Sequence, residues 1–181
     1  MRQQRARHWV LLACSLGWGM GAWAQSPAPT DAVVKAGFVY NFAKFTEWPA
    51  GALPAGHIVL CLIGLDAQGA VSTAIEGRPL QGRTLSVQRN PRNDELKNCQ
   101  IVYLSDVDER RQSEVLRVVR GQPVLTVGDA DGFAEVGGVI GLIAASGRMQ
   151  FEINNEVAQA AGLKISSQLL RLARSVRGRT P

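Results

Sequence analysis

Few side chains in this chain could do covalent or acid–base chemistry. Its 181 residues include three cysteines and two histidines. Cys61 and Cys99 could pair, and a disulfide is the default reading in an oxidising compartment. It would close a loop of about 39 residues, worth roughly 3–4 kcal/mol in the chain-entropy model. Two separate buried thiols are the alternative, since spacing alone fixes no geometry. Cys61, Cys99 and His57 lack the clustered spacing of a zinc site. A Cys–His hydrolase would need a free thiolate, which a disulfide removes.

Other candidates are weaker. Asp129-Ala130-Asp131-Gly132 resembles a fragment of a calcium loop, but the remaining ligands do not follow, so a turn is expected. Glu135 and Glu152 could pair as acid and base in principle; with no other catalytic group nearby, a surface or salt-bridged role is expected. Gly137-Gly138-Val139-Ile140-Gly141 lacks dinucleotide-binding spacing, and no phosphate loop exists. Arg171, Arg174 and Arg177 recur every three residues and could meet an anion or an acidic partner surface; a solvated helix face is the plainer alternative. No catalytic constellation, metal or cofactor is expected.

The compartment decides how the cysteines are read. Met1 to Ala24 runs from Arg2, Arg5 and Arg7 through an apolar stretch to Ala22-Trp23-Ala24, the order of a secretory signal peptide cut after Ala24. The apolar run is short of the ~20 residues that span a bilayer. Leu11-Leu12-Ala13-Cys14 comes too early for a lipoprotein site. Cleavage leaves 157 of the 181 residues, removes Cys14, and lowers the formal charge from +5 to +2. A nucleic-acid partner is therefore not implied. The expected organisation is signal peptide 1–24, flexible leader 25–33, one domain 34–177 and a tail 178–181.

The elements that must position these residues follow from pattern. Thr30 caps a helix in which Val34, Phe38, Phe42 and Phe45 share a face, ended by Pro49. His57 to Ile63 is a nearly all-apolar run, as in a central strand covered on both faces. Asp66–Ile75 reads as a short helix and Arg83–Arg89 as an alternating strand. Gln100–Leu104 is an apolar strand; Ser105 or Asp106 caps a helix to about Arg120; Pro123–Val127 is a strand. Val139–Ala145 and Arg148–Ile153 form an antiparallel hairpin about Ser146-Gly147. Asn154 or Asn155 caps a last helical region, interrupted at Gly162 and restarted at Ser166. The expected fold is a three-layer α/β sandwich: a mostly parallel sheet of about five to six strands, ending in the hairpin, with helices on both faces.

Several blocks together resemble the YfiR-like periplasmic proteins. They are Lys35 through Pro49; Cys61-Leu62-Ile63-Gly64; Gly82-Arg83; Leu125 through Asp129 with Gly132-Phe133; and Phe151 through Asn154 followed by Ala161 through Ser167 and Leu169 through Ala173. The resemblance spans about Val34 to Ala173. It implies a compact α/β domain that tends to dimerise and a family disulfide at Cys61 and Cys99. It implies a regulator, not an enzyme, that represses an inner-membrane diguanylate cyclase by binding its periplasmic sensor part, lowering cyclic di-GMP and biofilm formation. An outer-membrane lipoprotein of the same system would sequester it. A second cysteine pair found late in some members has no counterpart here.

Such a protein acts by binding one conformation of its partner better than another; tenfold needs only about 1.4 kcal/mol. Leu163 and Ile165, at the helix break, and Arg171 and Arg174 are the expected contacts. Two other classes stay open: a periplasmic small-ligand module for another membrane receptor, using a crevice at the strand ends, and a hydrolase.

Overall fold

The computed structural model describes residues 31–64, 69–145 and 147–178. The expected export signal, its cut after Ala24 and the leader up to Thr30 lie outside the described residues.

The apolar run at 57–64 becomes the middle of the sheet. β2 (His57–Gly64) is paired in parallel with β4 (Arg83–Arg89) on one side and β5 (Ile101–Ser105) on the other. Its side chains divide by alternation: Ile58, Leu60 and Leu62 enter one core, Cys61 and Ile63 the other. β5 divides likewise, with Ile101 and Tyr103 opposite Val102 and Leu104. A strand buried on both faces has no polar side, so its sequence shows no hydrophobic alternation.

Among the described residues the main sheet has eight strands, in the order β10-β8-β7-β6-β5-β2-β4-β3. β6 (Leu125–Gly128) and β7 (Ile140–Ala145) continue the parallel run, and β8 (Arg148–Asn154) returns antiparallel as expected. The two extra strands are the edges, β3 (Pro79–Leu80) and β10 (Ser175–Arg177). A separate antiparallel pair joins β1 (Thr46–Glu47) to β9 (Lys164–Ile165). Segments of two or three residues are too short to carry a period, and only their partners define them.

The first helix, α1 (Asp31–Lys44), begins inside the expected leader. Its buried residues are Ala36, Val39, Phe42 and Ala43, so two small side chains let it sit close to the sheet. Phe38 is only partly buried, but its ring meets those of Phe42 and Phe151 in tilted contact, with centroids 5.7 and 6.1 Å away. The Gln81 amide donates to the Ala43 and Thr46 carbonyls and closes the helix end. α2 (Ala70–Ile75) starts later than expected, with Gly69 as its extended N-cap. α3 (Glu109–Val119) is capped by Asp108, whose carboxylate accepts from the Arg111 amide at 2.7 Å. The earlier caps expected, Ser105 and Asp106, serve otherwise: Ser105 ends β5, and Asp106 turns the chain at φ 49°. α4 (Asn155–Ala160) and α5 (Ser167–Leu172) start on Asn154 and Ser166, whose side chains accept from Val157 and Leu169 amides. Gly162, at φ 72°, breaks the chain between them.

The larger core unites residues of α1, α2, α4 and α5 with one sheet face. The smaller joins α3, Phe133 and the Cys61–Cys99 region on the other. This is the expected three-layer arrangement.

Candidate functional site

The parallel strands end in a row. Gly64 is paired with Ser105, and Leu104 with Gly128, so the segments after β2, β5 and β6 emerge side by side. Chain order reverses here, with β4 on one flank of β2 and β5 on the other; open α/β sheets form crevices at such points. Gly64 stands at φ 103°, and a Cβ there would run into the Ser105 carbonyl. Its amide donates to Asn90 Oδ1 at 3.1 Å.

Asp129 is the hub of this end. Its carboxylate accepts from Lys35 Nζ at 2.8 Å, Tyr103 Oη at 3.1 Å, Ser105 Oγ at 3.0 Å and the Asp106 amide at 3.0 Å. Burial alone would raise its pKa, but Lys35, the Asp106 amide and Ser105 outweigh it and hold the carboxyl below its ordinary range. Burial likewise opposes the charge on Lys35, yet Asp129 and Asp31 raise its pKa above the ordinary value. A hollow of about 410 Å³ beside the pair is walled by Val107, Leu142, Ala144 and Met149. The two charges neutralise each other, so the arrangement is a latch between α1 and the sheet rather than an exposed reactive group.

The remaining chemistry-capable residues do not converge. His57 opens β2 and Ser105 closes the parallel β5, so they sit at opposite ends of the sheet, about 20 Å apart by strand rise. No Ser–His pair can form across that distance. Glu135 is ion-paired with Arg177, and Glu152 accepts from Ser175 Oγ at 3.4 Å. Asp129 to Gly132 forms part of a turn. Among the described residues no three His, Cys, Asp or Glu side chains gather as metal ligands.

Cys61 and Cys99 are bonded, with Cα atoms 5.8 Å apart. Both are buried, in the smaller core beside Leu96 and Val102. The bridge staples the central strand to the start of β5.

Of the four residues expected to contact a partner, Leu163 and Ile165 lie in the larger core at 1% and 5% exposure. Both side chains pack inward there. The helix break does not expose them, because β9 pairs with β1 and turns both inward. Arg171 and Arg174 are exposed. Between them Leu172 is 66% exposed, an apolar side chain flanked by cations. Beside β9 a hollow of about 520 Å³ is bordered by Glu47, Gln159 and Lys164.

Sequence reasoning missed the Lys35–Asp129 latch and the role of Phe133. The latch partners are 94 residues apart, and neither has a local signal. Phe133, fully buried, lies flat over Gly128 and Gly138, where any Cβ would overlap its ring. The glycines at 128 and 138 around one aromatic were the available clue.

The fold and its ends thus define a three-layer α/β domain with a disulfide-stapled sheet. Residues 32–174 match the YfiR/HmsC-like family, and the chain belongs to it. Members of this family are periplasmic regulators of diguanylate cyclase rather than enzymes. Among solved structures, a conserved domain protein from Vibrio cholerae is similar at TM-score 0.54 and 9% identity, covering 81% of this chain and 60% of that one. An ABC domain in complex with L-Trp from Streptococcus pneumonia aligns at TM-score 0.47 and 13% identity, covering 66% and 55%. The chain therefore spans less than two thirds of each solved chain, and the first likeness concerns fold alone. Among the described residues no helix is long and apolar enough to cross a membrane.

Proposed function

We propose that this protein binds the periplasmic sensor part of an inner-membrane diguanylate cyclase and holds it in the inactive state, lowering cyclic di-GMP and biofilm formation. The observation that carries the reading is the family match across 32–174. At the carboxyl end of the parallel strands the Asp129 carboxylate is taken up by Lys35, Tyr103, Ser105 and the Asp106 amide, which lends a catalytic role no support. The contact face we favour is the α5 corner, where Arg171, Leu172 and Arg174 stand exposed together. An exposed apolar side chain ringed by cations suits a partner surface with an apolar spot and acidic rim.

The protein acts by population shift: it contacts one state of the sensor and raises that state's share. An outer-membrane lipoprotein would compete for the same face, and a homodimer is the assembly expected in solution.

Membrane pull-down with tagged protein, followed by cyclic di-GMP measurement in cells with and without the gene, is the test. Capture of a membrane protein with a cyclase domain, and higher cyclic di-GMP on deletion, are expected. No change in cyclic di-GMP on deletion, with no such protein captured, would reject the reading.

A further inference from the structure

A third hollow opens at the other end of the sheet from Asp129. It has a volume of about 300 Å³ and lies between the last turn of α3, the start of β6 and α4. Leu116, Val119, Val124 and Val139 wall it, all buried, and the small side chains of Ala160, exposed at the end of α4, and Ala161, just past it, border it. Its size is at the low end for ligand pockets, which run from about 300 to 1,000 Å³.

The rim is polar and open. A Cβ placed on Gly121 or Gly137 would meet nothing within 4 Å. Arg120, the residue closing α3, and Glu156, in the first turn of α4, stand there. Neither is ion-paired among the described residues. An apolar hollow with one unengaged guanidinium at its mouth is complementary to a small amphipathic anion. The guanidinium matches a carboxylate through two parallel hydrogen bonds. Glu156 on the same rim disfavours a second negative group.

We infer that this pocket binds a small monocarboxylate with an apolar body, the body between α3 and α4 and the carboxylate on Arg120. α4 would carry the effect outward, since Gln159 of the same helix borders the hollow beside β9. The assignment is independent of the proposed cyclase partner.

Three probes share one body and differ in head: octanoate, octanol and octylamine. Titrated into the purified protein, octanoate should shift the amide resonances of Gly121, Gly137 and Ala160 saturably. At about ten times its Kd it should raise Tm by about 3 °C. Octanol should bind more weakly and octylamine weakest. Arg120→Gln should weaken octanoate about tenfold and leave octanol unchanged. Ala160→Leu should remove binding of all three while the far-UV spectrum stays native. The inference is overturned if no saturable shift occurs at those amides, if octylamine binds best, or if octanoate affinity survives Arg120→Gln.

Discussion

Lys35 and Asp129, 94 residues apart, meet at 2.8 Å and tie the first helix to the carboxyl end of β6. Their side chains are 19% and 12% exposed, so the pair is shielded from solvent. Such a pair costs more to break than to replace, because removing one partner strands the other charge.

Asp129→Ala should therefore destabilise by about 3–5 kcal/mol. Asp129→Asn keeps the shape and should cost less, while Lys35→Met combined with Asp129→Leu should recover part of the loss. Urea unfolding of the single and double variants measures this. Equal losses for Ala and Asn would show that the charge carries the whole effect and that the retained shape contributes nothing.

The pH dependence has a definite sign. Asp129 titrates lower in the folded state than its ordinary 3.8, so its contribution is complete above that value and is lost as pH falls through the depressed one. Lys35 titrates above its ordinary 10.5, so its contribution is complete below that value and is lost as pH rises through the elevated one. Melting temperature should be flat between these limits with respect to this pair. Asp129→Asn should flatten the acid limb; an unchanged acid limb would remove Asp129 from the account.

The disulfide should act as a staple. Cys61 and Cys99, 38 residues apart, close a loop worth about 4 kcal/mol at most in the entropy model. The double serine variant should lose roughly 2–4 kcal/mol. Because both sulfurs are buried, reductant should attack only after opening of the fold. Thiol release should then speed up with mild urea; fast release from the native protein would contradict this.

Phe133 and its two glycines should behave as a unit. Gly138→Ala drives a methyl into the ring and should cost about 2–3 kcal/mol. Phe133→Ala should cost about 3–5 kcal/mol. The double variant should cost less than the sum, since the clash disappears with the ring. Additive losses by calorimetry would show that the ring can shift aside.

At the α5 corner, Arg171→Glu with Arg174→Glu should leave stability within about 0.5 kcal/mol, because both are exposed. Affinity for the captured membrane partner should fall by about tenfold or more, with the loss mainly in association rate. Unchanged affinity by surface plasmon resonance would move the contact elsewhere.

The long elements and the caps of α4 and α5 were legible in the sequence because their signals are local. A buried strand such as 57–64 needs only its own apolar run, and Asn154 and Ser166 need only the amides three residues on. The cysteine pair was legible from number and compartment. What the chain could not reveal locally were relations between distant segments. β9 turns Leu163 and Ile165 inward only because β1 lies beside it. Conversely, the break after Leu172 leaves that side chain outside although its spacing fits the core. Lys35 finds Asp129 only after β5 and β6 have aligned their ends under α1. Sequence determined the long elements and the family, since these depend on spacing along the chain, and made the staple the default reading. Tertiary structure alone decided which apolar residues face solvent and which charges meet, because burial and pairing depend on what packs from elsewhere.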